Sequence, residues 1–247
     1  MEGITYQQAG RKRAYFEEDD DPIFVARRTT GAATVTERRY FDSELSGRVI
    51  LSNSSWTGAE CDPAALNTIF APTRGDDIAN RDGRKLTILK TTIRGVIRGV
   101  AKSSAALPLN PCTIRLILYV DKQTNGVQAA STLLMANPVI PTSQVVPTTF
   151  QNTDNFGRFQ VLKDKTYTLQ NPLMFVGAGG IYVENSVGLH FKISYKWKKG
   201  LPVRFDSDNN GTVADIVDNS LHIIAAASDD FMTPTMWYTA RTVFMDA

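Results

Sequence analysis

The chain reads as an all-β fold, a two-sheet sandwich of roughly eight strands, and three observations predict it. Residues 190–204 alternate with a period of two: Phe191, Ile193, Tyr195 and Trp197 share one parity, and Lys192, Ser194, Lys196 and Lys198 share the other. That is the signature of a half-buried strand. Breakers recur between such segments, including Pro72, Asp82-Gly83, Asn110-Pro111, Asn125-Gly126, Asn137-Pro138, Gly177 with Gly179-Gly180, and Asn210-Gly211. Amphipathic helical spacing is almost absent. At 247 residues and 43% hydrophobic the chain can bury a full core, and long connections suit a sandwich better than a tight meander.

In chain order, residues 1–35 read as an arm of mixed charge, and 36–247 as the folded domain. The arm carries Arg11, Lys12 and Arg13, an acidic run from Glu17 to Asp21, and then Arg27 and Arg28, with few apolar anchors. Strands are expected over 36–51 (interrupted near Gly47), 84–100, 112–122, 158–162, 167–169 with 173–176, 190–204, 220–227 and 236–244. Short helical turns fit 62–70, where Asp62-Pro63 resembles a cap followed by proline, and 129–136. The second strand is the unusual one. Its odd positions, Leu89, Ile93 and Ile97 among them, read as core. Its even positions start apolar with Leu86 and Ile88, then become Lys90, Arg94 and Arg98.

Lys plus Arg number 27 against 25 acids, a formal charge of +2, so any electrostatic footprint has to be local. No run approaches the roughly 18 apolar residues that cross a bilayer. The N-terminus also lacks a secretory layout, which predicts a soluble protein used without export and without membrane insertion. Cys61 and Cys112 match no metal or redox spacing and read as buried thiols.

Catalysis finds little to stand on. His190 and His222 are the only histidines, each in a strand pattern, and GxSxG is absent. Gly177-Ala178-Gly179-Gly180 lacks the Lys-Ser/Thr of a phosphate loop. Asp206-x-Asp208-x-Asn210-Gly211 copies half a calcium loop, but the twelfth position is Val217 rather than a bidentate glutamate, so it reads as a turn. The sequence therefore predicts no enzyme, cofactor or metal.

A series of short motifs carries a resemblance. It runs from Glu37-Arg38-Arg39-Tyr40-Phe41-Asp42 through Leu66-Asn67-Thr68-Ile69 and Arg81-Asp82-Gly83-Arg84-Lys85-Leu86-Thr87-Ile88. It continues with Ile114 to Gly126 and Arg158-Phe159-Gln160-Val161-Leu162-Lys163-Asp164, and closes on an aromatic-rich strand. In this order the chain resembles the capsid proteins of circular, Rep-encoding single-stranded DNA viruses, the circovirus-like groups. The resemblance covers roughly residues 37–246 and implies a single eight-stranded jelly roll of two four-stranded antiparallel sheets. It further implies self-assembly into a small icosahedral shell, T=1 in architecture, around circular single-stranded DNA. Virion and host nucleus are the implied locations, with a host receptor that the sequence does not identify.

Such proteins usually begin with an arginine-rich arm that binds DNA and directs nuclear import. Here the arm is diluted by acids, leaving packaging to folded-surface charge, to an arm outside this chain, or to an altered function. The candidate nucleic-acid contacts are thus Arg11, Lys12, Arg13, Arg27 and Arg28 in the arm, and Lys90, Arg94 and Arg98 on the second strand. A solvated strand face, or pairing with a neighbouring subunit's acids, is the competing reading of the latter three. Lys196, Lys198 and Lys199 around Trp197 form a basic–aromatic run, but Trp197 shares the buried parity. A lectin-like jelly roll that binds sugars through its loops is the alternative function.

Overall fold

The computed structural model describes residues 37–50, 56–58, 68–101, 111–136, 146–169, 174–177, 180–183, 188–206, 210–228 and 232–246. All belong to one compact unit, Thr36–Ala247. The arm, Cys61 and most of the helical turn expected at 62–70 lie outside the described residues.

The fold is all-β and jelly-roll-like. The strands are β1 (Arg38–Val49), β2 (Thr57–Gly58), β3 (Lys85–Ala101), β4 (Cys112–Asp121), β5 (Phe159–Leu169), β6 (Met174–Gly177), β7 (Gly180–Val183), β8 (Leu189–Phe205), β9 (Ile216–Asp218), β10 (Ser220–Ala227) and β11 (Met232–Asp246). One sheet has five strands in the order β1-β11-β3-β8-β9, a second has four in the order β2-β10-β4-β5, and β6 pairs with β7. All these pairings are antiparallel. The two four-stranded sheets that were expected thus become five and four, because β9 adds an edge to β8. β2, β7 and β9 are too short to show a period. The segments expected at 158–162 and 167–169 are one strand, β5. The charged run Lys163-Asp164-Lys165 lies within it, as suits an edge strand paired only with β4.

A single core joins the sheets. Ile93, Ile97, Phe191, Val203, Met236 and Phe244 come from the five-stranded sheet; Ile114, Leu116, Leu118, Leu221 and Ile223 come from the other. A second cluster lies on the far side of the four-stranded sheet, where Ile117, Tyr119, Phe159 and Ile224 pack with Leu134 and Met135. Leu134 ends the one-turn helix α1 (Ser131–Leu134), inside the helical turn expected at 129–136. Strand β10, Ser-Leu-His-Ile-Ile-Ala-Ala-Ala, is buried at every position. Continuous apolar character without alternation is what a strand covered on both faces requires. Arg115 pins the cover: its guanidinium donates to the carbonyls of Pro147 (2.9 Å) and Thr149 (2.7 Å) and pairs with Asp164.

The five-stranded sheet has no such cover among the described residues. Its strands alternate, as β8 shows with Phe191 and Ile193 buried and Lys192 exposed.

One expectation fails within β3. Leu89 is only half-buried and lies outside the core, whereas Leu86 and Ile88 are buried. Pairing with β11 runs Ile88↔Phe244, then Lys90↔Val243, so Leu89 is an extra residue in a β-bulge. On the other side, Ile88 faces Leu201 and Lys90 faces Lys196, leaving Trp197–Gly200 opposite Leu89. A bulge shifts the side-chain parity. Even positions point inward before Leu89, and odd positions, Thr91, Ile93 and Ile97, point inward after it. Gly200 makes the matching turn with φ +76°, a conformation that favours glycine.

Candidate nucleic-acid interface

The bulge decides where the basic side chains of β3 go. Lys90, Arg94 and Arg98 all project from the open face, with Arg94 and Arg98 exposed. The register lays that face out in rows across the strands. Tyr40 of β1, Val243 of β11, Lys90 of β3 and Lys196 of β8 form one row; Asp42, Arg241, Thr92 and Ser194 form the next. Glu44, Thr239, Arg94 and Lys192 follow, and after them Trp237, Val96 and His190. Neighbouring strands lie about 4.8 Å apart and alternate residues about 6.7 Å, so the patch from Lys90 to Arg98 is about 27 Å long.

Two cross-strand pairs on this face carry like charge: Lys90 stands directly opposite Lys196, and Arg94 opposite Lys192. Like charges placed directly opposite one another destabilise a sheet. Between them Thr92 and Ser194 join hydroxyls at 3.0 Å. Among the described residues, Arg94, Lys192 and Lys196 form no ion pair. The acids of this face lie on β1. Asp42 is taken up by Arg241 in a bidentate pair at 2.8 and 2.6 Å, which raises the Arg241 pKa above its ordinary value. Glu44 is exposed.

A groove of about 730 Å³ crosses the sheet between these rows, edged by Glu44, Arg94, Lys192, His190 and Trp237. Gly95 is on the inward parity beneath it, where a Cβ would meet the Trp237 carbonyl oxygen at 2.3 Å and the buried Phe191 ring at 2.7 Å, so glycine lets the strands close over the core there. Gly47, with φ +78°, sits at the β1 bulge where the sequence suggested an interruption, and its missing Cβ makes room for the Trp237 indole.

No family model and no curated protein matches this chain. Among solved structures it is similar to the 60-mer BFDV capsid protein. Identity is 3% and the TM-score 0.29, over 87% of this chain and 96% of that one. A likeness that low leaves this chain's partners to its own geometry.

Of the residues singled out from sequence, Lys90, Arg94 and Arg98 are brought together on the open face, and Arg11, Lys12, Arg13, Arg27 and Arg28 lie outside the described residues. Lys192, Lys196 and Trp237 extend the patch; of these only Lys196 was raised from the sequence, as part of the run around Trp197. The alternation of 190–204 already put both lysines on the polar parity, but only the pairing register sets them beside β3. Trp197 packs half-buried against the core, edge-on to Tyr195 at 4.8 Å, as its parity predicts.

Two further polar clusters among the described residues have buried partners. Ser220 Oγ lies 2.6 Å from His222 Nε2, the spacing of a nucleophile and its base, but both are buried and Thr124 donates to the same Ser220 oxygen at 2.6 Å. In the half calcium loop, Asn210 Nδ2 and the Gly211 N–H donate to the buried Asp215 carboxylate at 3.2 and 2.6 Å. That carboxylate organises the turn. Among the described residues no group of three metal-ligating side chains could hold an ion, and no helix is long and apolar enough to cross a membrane.

Proposed function

We propose that this chain is a viral capsid protein whose copies assemble into a closed icosahedral shell, T=1 in architecture, around single-stranded DNA. Its work is packing and electrostatics rather than bond making, with the virion as its location and the host nucleus as the place of assembly. Counted along the chain without the β6–β7 hairpin and the short β9, eight strands remain. Their order is first, eighth, third, sixth in one sheet and second, seventh, fourth, fifth in the other. That order supports an eight-stranded jelly roll, an architecture shared by viral coat and lectin domains.

The observation that carries the reading is the open, self-repelling cationic face. A protomer whose described residues cover one sheet and leave the other open, with Lys90–Lys196 and Arg94–Lys192 apposed, presents a surface that a polyanion stabilises. Exposed apolar side chains on the β4–β5 connection, Val127, Phe150 at 85% and Phe156, suit burial against further copies. A sugar-binding module would place its site among loops. Here the charged groove lies across a sheet face.

The test is electron microscopy of the purified chain, with extracted nucleic acid measured alongside oligonucleotide binding as salt is varied. Uniform particles containing nuclease-protected single-stranded DNA are expected. Five phosphate-neutralising side chains (Lys90, Arg94, Arg98, Lys192, Lys196) give a slope of log K against log salt near −3.5, about −0.7 for each. Changing Lys90, Arg94 and Arg98 to glutamine should bring it to about −1.4. A persistent monomer at high concentration, or an unchanged slope and full DNA loading in the triple variant, would overturn the proposal.

A further inference from the structure

We infer that the groove over Trp237 binds an unstacked nucleobase, so that this face takes single-stranded DNA in preference to a duplex. The inference rests on the polyanion-binding reading of the same face and specifies what the face recognises beyond charge.

Phosphate alone would need only the cations of β3 and β8. The groove offers more. Trp237 projects outward from β11 with 37% of its surface exposed, although large aromatics elsewhere in the sheet, such as Phe191 and Phe244, are buried. Its place is built. Gly47 sits where any side chain would strike the indole, its ideal Cβ position lying 2.8 Å from Nε1. The bulge between Leu45 and Arg48 places that glycine beside the indole. Val96 stands directly opposite Trp237 on β3, and His190 opposite Val96 on β8. An indole, a valine and an imidazole therefore form one row across three strands. The adjacent row supplies Arg94 and Lys192 about 6.7 Å away, with Glu44 at its far end on β1.

The charge order sets an orientation. Phosphate is drawn to Arg94 and Lys192 and repelled by Glu44, which directs the backbone along β3 and β8 and turns the base toward β11. An aromatic that stacks a base beside cations that hold phosphate is how proteins grip single strands without reading sequence. In a duplex the base faces are already stacked and cannot reach Trp237. At about 730 Å³ the groove is within the roughly 300–1,000 Å³ of small-molecule sites.

The experiment compares three probes on the full chain at one salt concentration: a single-stranded DNA oligomer, its duplex, and inorganic polyphosphate, which has charge but no base. Trp237→Leu should lose roughly 5- to 150-fold in single-strand affinity, the worth of one stacked base, with polyphosphate affinity and salt slope unchanged. Trp237→Phe should recover most of the loss. A measurement on the unaltered chain guards against a leucine variant that does not fold: the oligomer should quench tryptophan emission and bound polyphosphate should not. Equal binding of single strand and duplex, or single-strand affinity unaffected by Trp237→Leu, would overturn the base site and leave the cationic face standing. Failure of all three probes to bind, with loss of particles in the Trp237 variants, would assign the groove to a neighbouring subunit and overturn both readings.

Discussion

Deleting Leu89 tests the device on which both the core and the basic face depend. Leu89 is the extra residue of β3, and its presence lets Leu86 and Ile88 point inward while Lys90, Arg94 and Arg98 point outward. Without it β3 has a single parity. The longer half, Thr91 to Val100, keeps its pairing with β8 and β11, since Ile93 and Ile97 are fully buried. The short half must then rotate, turning Leu86 and Ile88 to water and Lys85 and Thr87 toward the core. Fully burying a leucine or isoleucine is worth about 1.5–3 kcal/mol, so the two together represent about 3–6 kcal/mol before any cost of bringing Lys85 inward. For a domain of this size that corresponds to a fall in Tm on the order of 6–24 °C, a large share of a typical total stability of about 5–15 kcal/mol. Denaturant unfolding of the deletion variant beside Leu89→Ala separates register from side chain, because the alanine variant keeps the extra residue and should lose far less. A deletion variant within about 1 kcal/mol of the parent would show that the bulge does not set the parity of β3.

Two further outcomes follow from the same geometry. Gly200→Ala places a Cβ 2.2 Å from Thr87 Cγ2 at a φ of +76°, and should destabilise by about 1–3 kcal/mol in thermal unfolding. Thr87→Ser, which removes that methyl, should restore only the steric part. Asp246 is pushed above the ordinary carboxylate range, chiefly by burial, against an N–H from Asp82 and the nearby Arg39 and Arg81. A pKa raised on folding means the native state holds its proton longer, so this group's cost is absent below the unfolded pKa and complete above the folded one. The stability of Asp246→Asn relative to the parent should therefore increase as pH rises through the carboxylate range; a difference that shrinks with pH would mean that Arg39 outweighs burial.

How much of this was legible in the sequence depends on the range of the interaction that fixes each feature. Alternation along 190–204 is local, and it marked both the buried and the polar parity of β8 correctly. The all-β character and most strand positions follow from the same kind of signal. Leu89 was misplaced because the parity of β3 changes within the strand, and a bulge is defined by a partner's register rather than by the strand's own residues. Its one local trace is Lys199-Gly200, a glycine that interrupts the polar end of β8 where the partner strand must turn. Short strands such as β9 escaped because three residues carry no period. The core status of 220–227 was obscure for the opposite reason. A strand buried on both faces has no alternation to read, and its cover, Leu134 and Met135, comes from about 90 residues earlier in the chain.

The open face takes this argument one step further. Lys90, Arg94 and Arg98 looked in the sequence like a basic stripe of three on one strand, equally compatible with solvent. Register changes what the stripe means, because β8 sets Lys196 and Lys192 directly against two of its members. On the polyanion-binding reading proposed above, bound phosphate relieves that apposition, whereas Thr92–Ser194, one row away, is a neutral hydrogen-bonded pair. On that reading the repulsion between like charges is smaller once an anion occupies the row. If the face binds a polyanion as proposed, occupancy couples to folding: binding that favours the folded state adds to its stability in proportion to the logarithm of ligand concentration. A polyanion should therefore raise Tm in the parent chain, and do so less once Lys192 and Lys196 are neutral, because then there is less repulsion to relieve.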